Sequence, residues 1–201
     1  MAKLSSKWTR VWFGCCMFLC TSLSFAFGRN EGGESFISIS GKTNINSFNL
    51  RQDIALLDFM PSPIGNQYVR VSVAVKQFET DNPIMYNDFI ELVKAKQYPH
   101  IYIDLLRSDF LALQEGKIFE QSVKIFLTIA GITRSYNLQS EIAAFPNECF
   151  SLKGQRDILL PDFKIDPPVK FLGMIKVQDT VHINFNLAFC MKTGAFEMAT
   201  K

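Results

Sequence analysis

Val181-His182-Ile183-Asn184-Phe185-Asn186-Leu187-Ala188-Phe189 sets large apolar residues at every second position, with His182, Asn184, Asn186 and the small Ala188 between them. Successive side chains of a strand point to opposite faces, so this stretch reads as a strand with one buried and one wet side. The same period recurs upstream. Val69, Val71, Val73 and Val75 alternate with Arg70, Ser72, Ala74 and Lys76. Ile101, Ile103 and Leu105 alternate with His100, Tyr102 and Asp104, and Val123, Ile125, Leu127 and Ile129 with Lys124, Phe126, Thr128 and Ala130.

Further strands are expected over 35–50, 54–59, 134–142, 149–160 and 169–177. Gly131-Ile132-Thr133 and Gln178-Asp179-Thr180 read as tight connections, while 61–66 and 162–168 read as longer loops. Eight or nine strands with short links and no βαβ units predict an antiparallel barrel or sandwich. One helix interrupts the pattern. Asn82 is a capping residue, Pro83 suits the first helical position, and Met85, Phe89, Leu92 and Val93 fall at helical spacing. An amphipathic helix in an all-β chain must lay its apolar face on the barrel, across a mouth.

The first 26 residues are set apart from this fold. Lys3, Lys7 and Arg10 precede a short apolar run, Val11 to Leu23, and Ser24-Phe25-Ala26 offers small residues for cleavage before Phe27. The run is too short to span a bilayer, which takes about 20 residues. Phe13-Gly14-Cys15 partly resembles a lipoprotein signal, which Trp12 and Phe13 fit poorly. The expected organisation is a signal peptide over 1–26 and one barrel domain over 27–201, placed in the periplasm or secreted, with no membrane span after cleavage.

Cleavage takes three of the 21 basic residues and none of the 19 acidic ones, leaving a net charge of −1. A nucleic-acid binder would show a basic face, so that class is excluded. Of the five cysteines only Cys149 and Cys190 remain. A simple up-and-down meander through 149–160, 169–177 and 179–190 puts them at opposite ends of the barrel. That predicts no bridge, since bridging needs Cα atoms within about 7 Å. An irregular connection would bring them together.

Chemistry has few carriers. His100 and His182, the only histidines, fall on the outward phase with no familiar metal-ligand spacing. Asp104, Asp109, Asp157, Asp162, Asp166 and Asp179 lie mostly in turns or on polar phases, where carboxylates are solvated or capping groups. No nucleophile elbow, phosphate loop or dinucleotide fingerprint is present. No catalytic residue, metal or cofactor is expected. Conversely, 19 Phe against 2 Trp and 5 Tyr, within 48% hydrophobic residues, point to a wide apolar interior. Periodicity is compatible with a solid core or a hollow one.

Three segments together resemble the YceI-like family of exported, lipocalin-like proteins. The first is Leu127-Thr128-Ile129-Ala130-Gly131-Ile132-Thr133-Arg134 followed by Ser135-Tyr136-Asn137-Leu138. The second is Met85 to Ala95 with Tyr98-Pro99-His100-Ile101. The third is Leu160-Pro161-Asp162-Phe163-Lys164-Ile165 with Val177-Gln178-Asp179-Thr180-Val181. Their order and spacing agree from about Phe36 to Leu187.

The resemblance implies an eight-stranded antiparallel barrel with a helix near one opening and a channel for polyisoprenoid or fatty chains. It also implies a periplasmic home. The chain departs from the family at Gly41-Lys42-Thr43-Asn44-Ile45-Asn46-Ser47-Phe48, where a histidine-bearing opening is usual, so the identity of the ligand is not carried over.

The expected function is an exported carrier of one elongated apolar molecule. Val71, Val73, Ile101, Ile103, Ile125, Leu127, Tyr136, Phe171, Ile183 and Phe185 would form the wall, and Met85, Phe89 and Leu92 the cover. The rival is a filled barrel acting as an envelope interaction module through Phe126, Leu172 and Met174. A homodimer is an assembly either reading allows.

Overall fold

The computed structural model describes residues 35–191 except 55, 56, 58 and 171–173. The expected signal peptide, Phe171 and Leu172 therefore lie outside the described residues. Among the described residues there are ten strands: β1 (Ser35–Thr43), β2 (Ser47–Ile54), β3 (Phe59–Pro61), β4 (Tyr68–Ala74), β5 (His100–Leu106), β6 (Ile118–Ile129), β7 (Ile132–Phe145), β8 (Cys149–Leu159), β9 (Val169–Lys170) and β10 (Ile175–Cys190). Eight are long; β3 and β9 are short additions that raise the count above the eight expected. The sheet order is β2-β1-β10-β8-β7-β6-β5-β4-β3, with β9 on β10, and neighbouring strands pair antiparallel.

The sheet curls until β2 meets the chain beyond β4. Arg51 and Glu79 exchange backbone hydrogen bonds at 2.9 and 2.7 Å, and the Gln52 amide donates to Gln77 Oε1 at 2.9 Å. This closure hides the edges that an open sheet would leave for other chains.

Two expected segments fold differently. The stretch 35–50 is broken by a turn, because the Thr43 hydroxyl donates to the Asn46 carbonyl at 3.0 Å and accepts from the Asn46 N–H at 2.9 Å. Gln178-Asp179-Thr180 is not a hairpin but part of one long strand. Opposite it the register jumps from Gly41↔Val181 to Thr43↔Val177, so a bulge absorbs the extra residues.

The stretch 169–177 thus supplies no spanning strand, and β8 and β10 become direct neighbours. Cys149 at the start of β8 then faces Cys190 at the end of β10, with Cα atoms 3.9 Å apart, and the two form a disulfide. The expectation of unbridged cysteines is corrected: it rested on a strand between these two that does not exist.

The helix α1 (Pro83–Leu92) begins as expected. Asn82 Oδ1 accepts from the N–H groups of Ile84 and Met85 at 3.0 and 3.3 Å. Phe89 and Val93 are buried, and Phe89 meets Phe78 edge to face at 5.3 Å, which fixes the helix beside the closure. An unforeseen one-turn helix, α2 (Ser108–Leu111), carries the fully buried Phe110.

Phe110, Phe150 and Phe189 pack with ring centroids 5.3–5.9 Å apart, plugging the disulfide end of the barrel.

At the other end, Ala130 and Gly131 form the two-residue β6–β7 hairpin with φ of 48° and 78°. Two positive φ values mark the turn whose twist matches antiparallel strands. A Cβ on Gly131 would come within 2.6 Å of the Tyr98 ring. Gly131→Ala is therefore expected to cost about 1–2 kcal/mol, seen in thermal unfolding as a Tm lower by about 2–8 °C.

Candidate functional site

The half of the barrel opposite the phenylalanine plug is hollow. It encloses a cavity of about 170 Å³. Packed cores leave few voids larger than a water, and one water needs only about 10–15 Å³ of the same measure. The cavity is more than a packing flaw.

Of the expected wall and cover residues, Val73, Met85, Phe89, Leu92, Ile101, Ile103, Ile125, Leu127, Ile183 and Phe185 line it. Val71 does not: it is fully buried, and its register partner on β5, Ile103, takes the place on the wall. Tyr136 does not either, although it keeps the inward phase. Its ring turns sideways to stack on Phe163, centroids 6.3 Å apart, in a 3-10 turn, η2 (Leu160–Phe163).

Sequence reading missed Ile37, Ile39 and Leu50, supplied by β1 and β2, together with Leu160 and Ile165 around η2. The signal for the first three was present in the alternation of Ile37 and Ile39 inside a stretch read as one strand. The η2 residues had no periodic signal.

Polar groups on the wall are few: Thr43, Asp88 and Arg156. Arg156 shares the inward phase of β8 with Leu152 and Ile158, yet its side chain is exposed to solvent.

The carboxylates weighed as catalysts lie elsewhere. Asp104 is wholly buried on the outer face, where it accepts two hydrogen bonds from Arg70, both at 2.8 Å. That bond, more than the opposing burial, raises the Arg70 pKa above its ordinary value. Asp157 pairs with His182 at 2.7 Å on the exposed surface. Asp162 accepts from the Tyr136 hydroxyl at 3.3 Å. Burial first, and then the Asp162 charge, push the Tyr136 phenol above its ordinary pKa, so it stays protonated and donates.

Among the described residues no three His, Cys, Asp or Glu side chains gather as a metal site, and no helix is long and apolar enough to cross a membrane.

The two described residues of the rival reading, Phe126 and Met174, do not share one patch. Phe126, half-buried on β6, packs edge to face on Tyr68 at 5.4 Å, while Met174 is exposed just before β10, with β7 and β8 between.

Against known proteins, residues 25–189 match the family model of the YceI-like domain. No curated protein sequence matches the chain. Solved structures similar in fold include the following two. One is a polyisoprenoid binding domain from Saccharophagus degradans implicated in plant cell wall breakdown. It is 13% identical, with a TM-score of 0.62 over 77% of this chain and 92% of its own. The other is BcnA of Burkholderia cenocepacia, 18% identical, with a TM-score of 0.53 over 77% of this chain and 95% of its own.

Proposed function

The chain belongs to the YceI-like family, and from that premise we propose that it is an exported protein that holds one elongated apolar molecule inside its barrel and performs no chemistry on it. The cavity carries this reading: about 170 Å³ of space walled almost wholly by aliphatic and phenyl side chains, in a barrel whose other end is closed by Phe110, Phe150 and Phe189. A prenyl or acyl chain entering it leaves water at a gain of about 25 cal/mol per Å². The similar fold of a polyisoprenoid binding domain makes a prenyl chain the first candidate.

Val73, Ile101, Ile103, Ile125, Leu127, Ile183 and Phe185 would touch the chain, with Met85, Phe89 and Leu92 of α1 covering it. Met85 is half-buried and unbranched, which suits a surface that must adapt to different chains.

Two observations support export. The leader over 1–26 has the order of a signal peptide. The Cys149–Cys190 bond suits an oxidising compartment such as the periplasm.

The test is native mass spectrometry of protein purified from its own cell envelope without detergent, followed by organic extraction. The expected result is a stoichiometric prenyl or acyl species on a chain beginning at Phe27. Apo protein that takes up no added lipid would overturn the carrier reading.

A further inference from the structure

The barrel wall is split on one side. β7 and β8 pair only where residues 140–145 face 149–154. Beyond Ser140 and Gly154 each strand keeps just one partner among the described residues: β7 stays on β6 up to the hairpin, and β8 stays on β10 up to Leu159. Residues 132–139 and 155–159 therefore border a seam, set across the barrel from the closure between β2 and the chain after β4.

An unpaired edge exposes backbone donors and acceptors and calls for cover. The turn η2 lies over this one. Phe163 is buried against Tyr136, Asp162 takes the Tyr136 hydroxyl, and Leu160 and Ile165 reach the cavity.

Arg156 stands in the seam. It lines the cavity and is also open to solvent, with its guanidinium carbon 5.5 Å above the Tyr136 ring. It is the only cation among the described residues of the wall. The wall's carboxylate, Asp88, belongs to α1, which packs beside Phe78 at the closure on the far side. Arg134 adds a second positive charge near the seam, and both arginines act on the Tyr136 phenol against the pull of Asp162.

A guanidinium adds little to a hydrocarbon wall. At a junction of hydrocarbon and water it offers a planar fork of donors that fits a carboxylate or phosphate. We infer that the seam between β7 and β8 is the polar exit of the cavity, and that Arg156 binds there the anionic headgroup, carboxylate or phosphate, of the chain held inside.

This inference rests on the carrier reading above, and the experiment separates the two. Wild type and Arg156→Gln are titrated by calorimetry with pairs that share one chain: palmitate against hexadecanol, and geranylgeranyl phosphate against geranylgeraniol. Arg156 is exposed, so the variant is expected to fold, and its thermal unfolding curve checks this.

The expected result is that Arg156→Gln weakens at least one anionic ligand ten-fold or more beyond any effect on its alcohol, while Arg156→Lys restores part of the loss. Which pair responds tells carboxylate from phosphate. If the wild type binds all four and the variant treats acids and alcohols alike, the headgroup site falls and the carrier stands. If the wild type binds none of them, both fall.

Discussion

Replacing Cys149 and Cys190 together by alanine is expected to lower the unfolding free energy by about 4 kcal/mol. The two are 41 residues apart in the chain. In the chain-entropy account, a loop of that length closed by a covalent bond removes about 4 kcal/mol of unfolded-state entropy. Little enters from the native side, because the pair sits at matched register on strands that remain hydrogen-bonded through eleven residue pairs without it. The bond also ties the end where Phe110, Phe150 and Phe189 plug the barrel, away from the cavity. Lipid uptake by the folded variant should therefore be unchanged.

Urea unfolding of oxidised, reduced and doubly substituted protein measures the effect. The oxidised form should also show a smaller m-value, since its unfolded chain exposes less surface. A loss below about 1 kcal/mol would mean that the unfolded chain is already confined by other contacts, and the entropic argument would fail.

The same disulfide shows where sequence reading reached its limit. The phase of each strand was legible: Val181, Phe185, Leu187 and Phe189 are buried as their period of two requires, with His182 and Asn184 exposed between them. The helix start was legible as well, because Asn82 and Pro83 act locally. Neighbour relations are not local. Whether 169–177 spans the sheet depends on pairing energy with distant strands, and its described residues give two to β9 and three to the start of β10. The cysteine geometry followed that pairing and was misread with it.

The bulge at 178–180 carries three exposed polar residues that look like a hairpin turn. Only the partner register on β1 tells the two apart. Hollowness was equally out of reach. A valine facing a void and a valine facing a phenylalanine have the same period, and the choice is made by side chains from other elements, here Phe110 on a helix with no periodic signature.

Val71 and Val73 turn that ambiguity into a measurement. They sit two positions apart on β4, face inward on the same phase, and are 0% and 1% exposed. Only Val73 lines the cavity. Val73→Phe should place its ring in empty space, gaining dispersion contacts where the wall now has none on one side. Stability should stay level or rise slightly. The ring would occupy the room of roughly four methylenes of a bound chain, each worth about 0.8 kcal/mol. Lipid affinity should then fall by about 3 kcal/mol, a hundredfold.

Val71→Phe adds the same atoms at a fully buried position outside the cavity lining, where overpacking costs about 1–3 kcal/mol. That variant should unfold at lower temperature and, once folded, bind lipid much as wild type does. Paired thermal unfolding and lipid titration read both outcomes. If Val73→Phe is destabilised like Val71→Phe and lipid uptake does not change, the barrel is packed throughout and the cavity carries no ligand. A crossed result, stability lost only at Val71 and binding lost only at Val73, would place the boundary between scaffold and site inside a single strand.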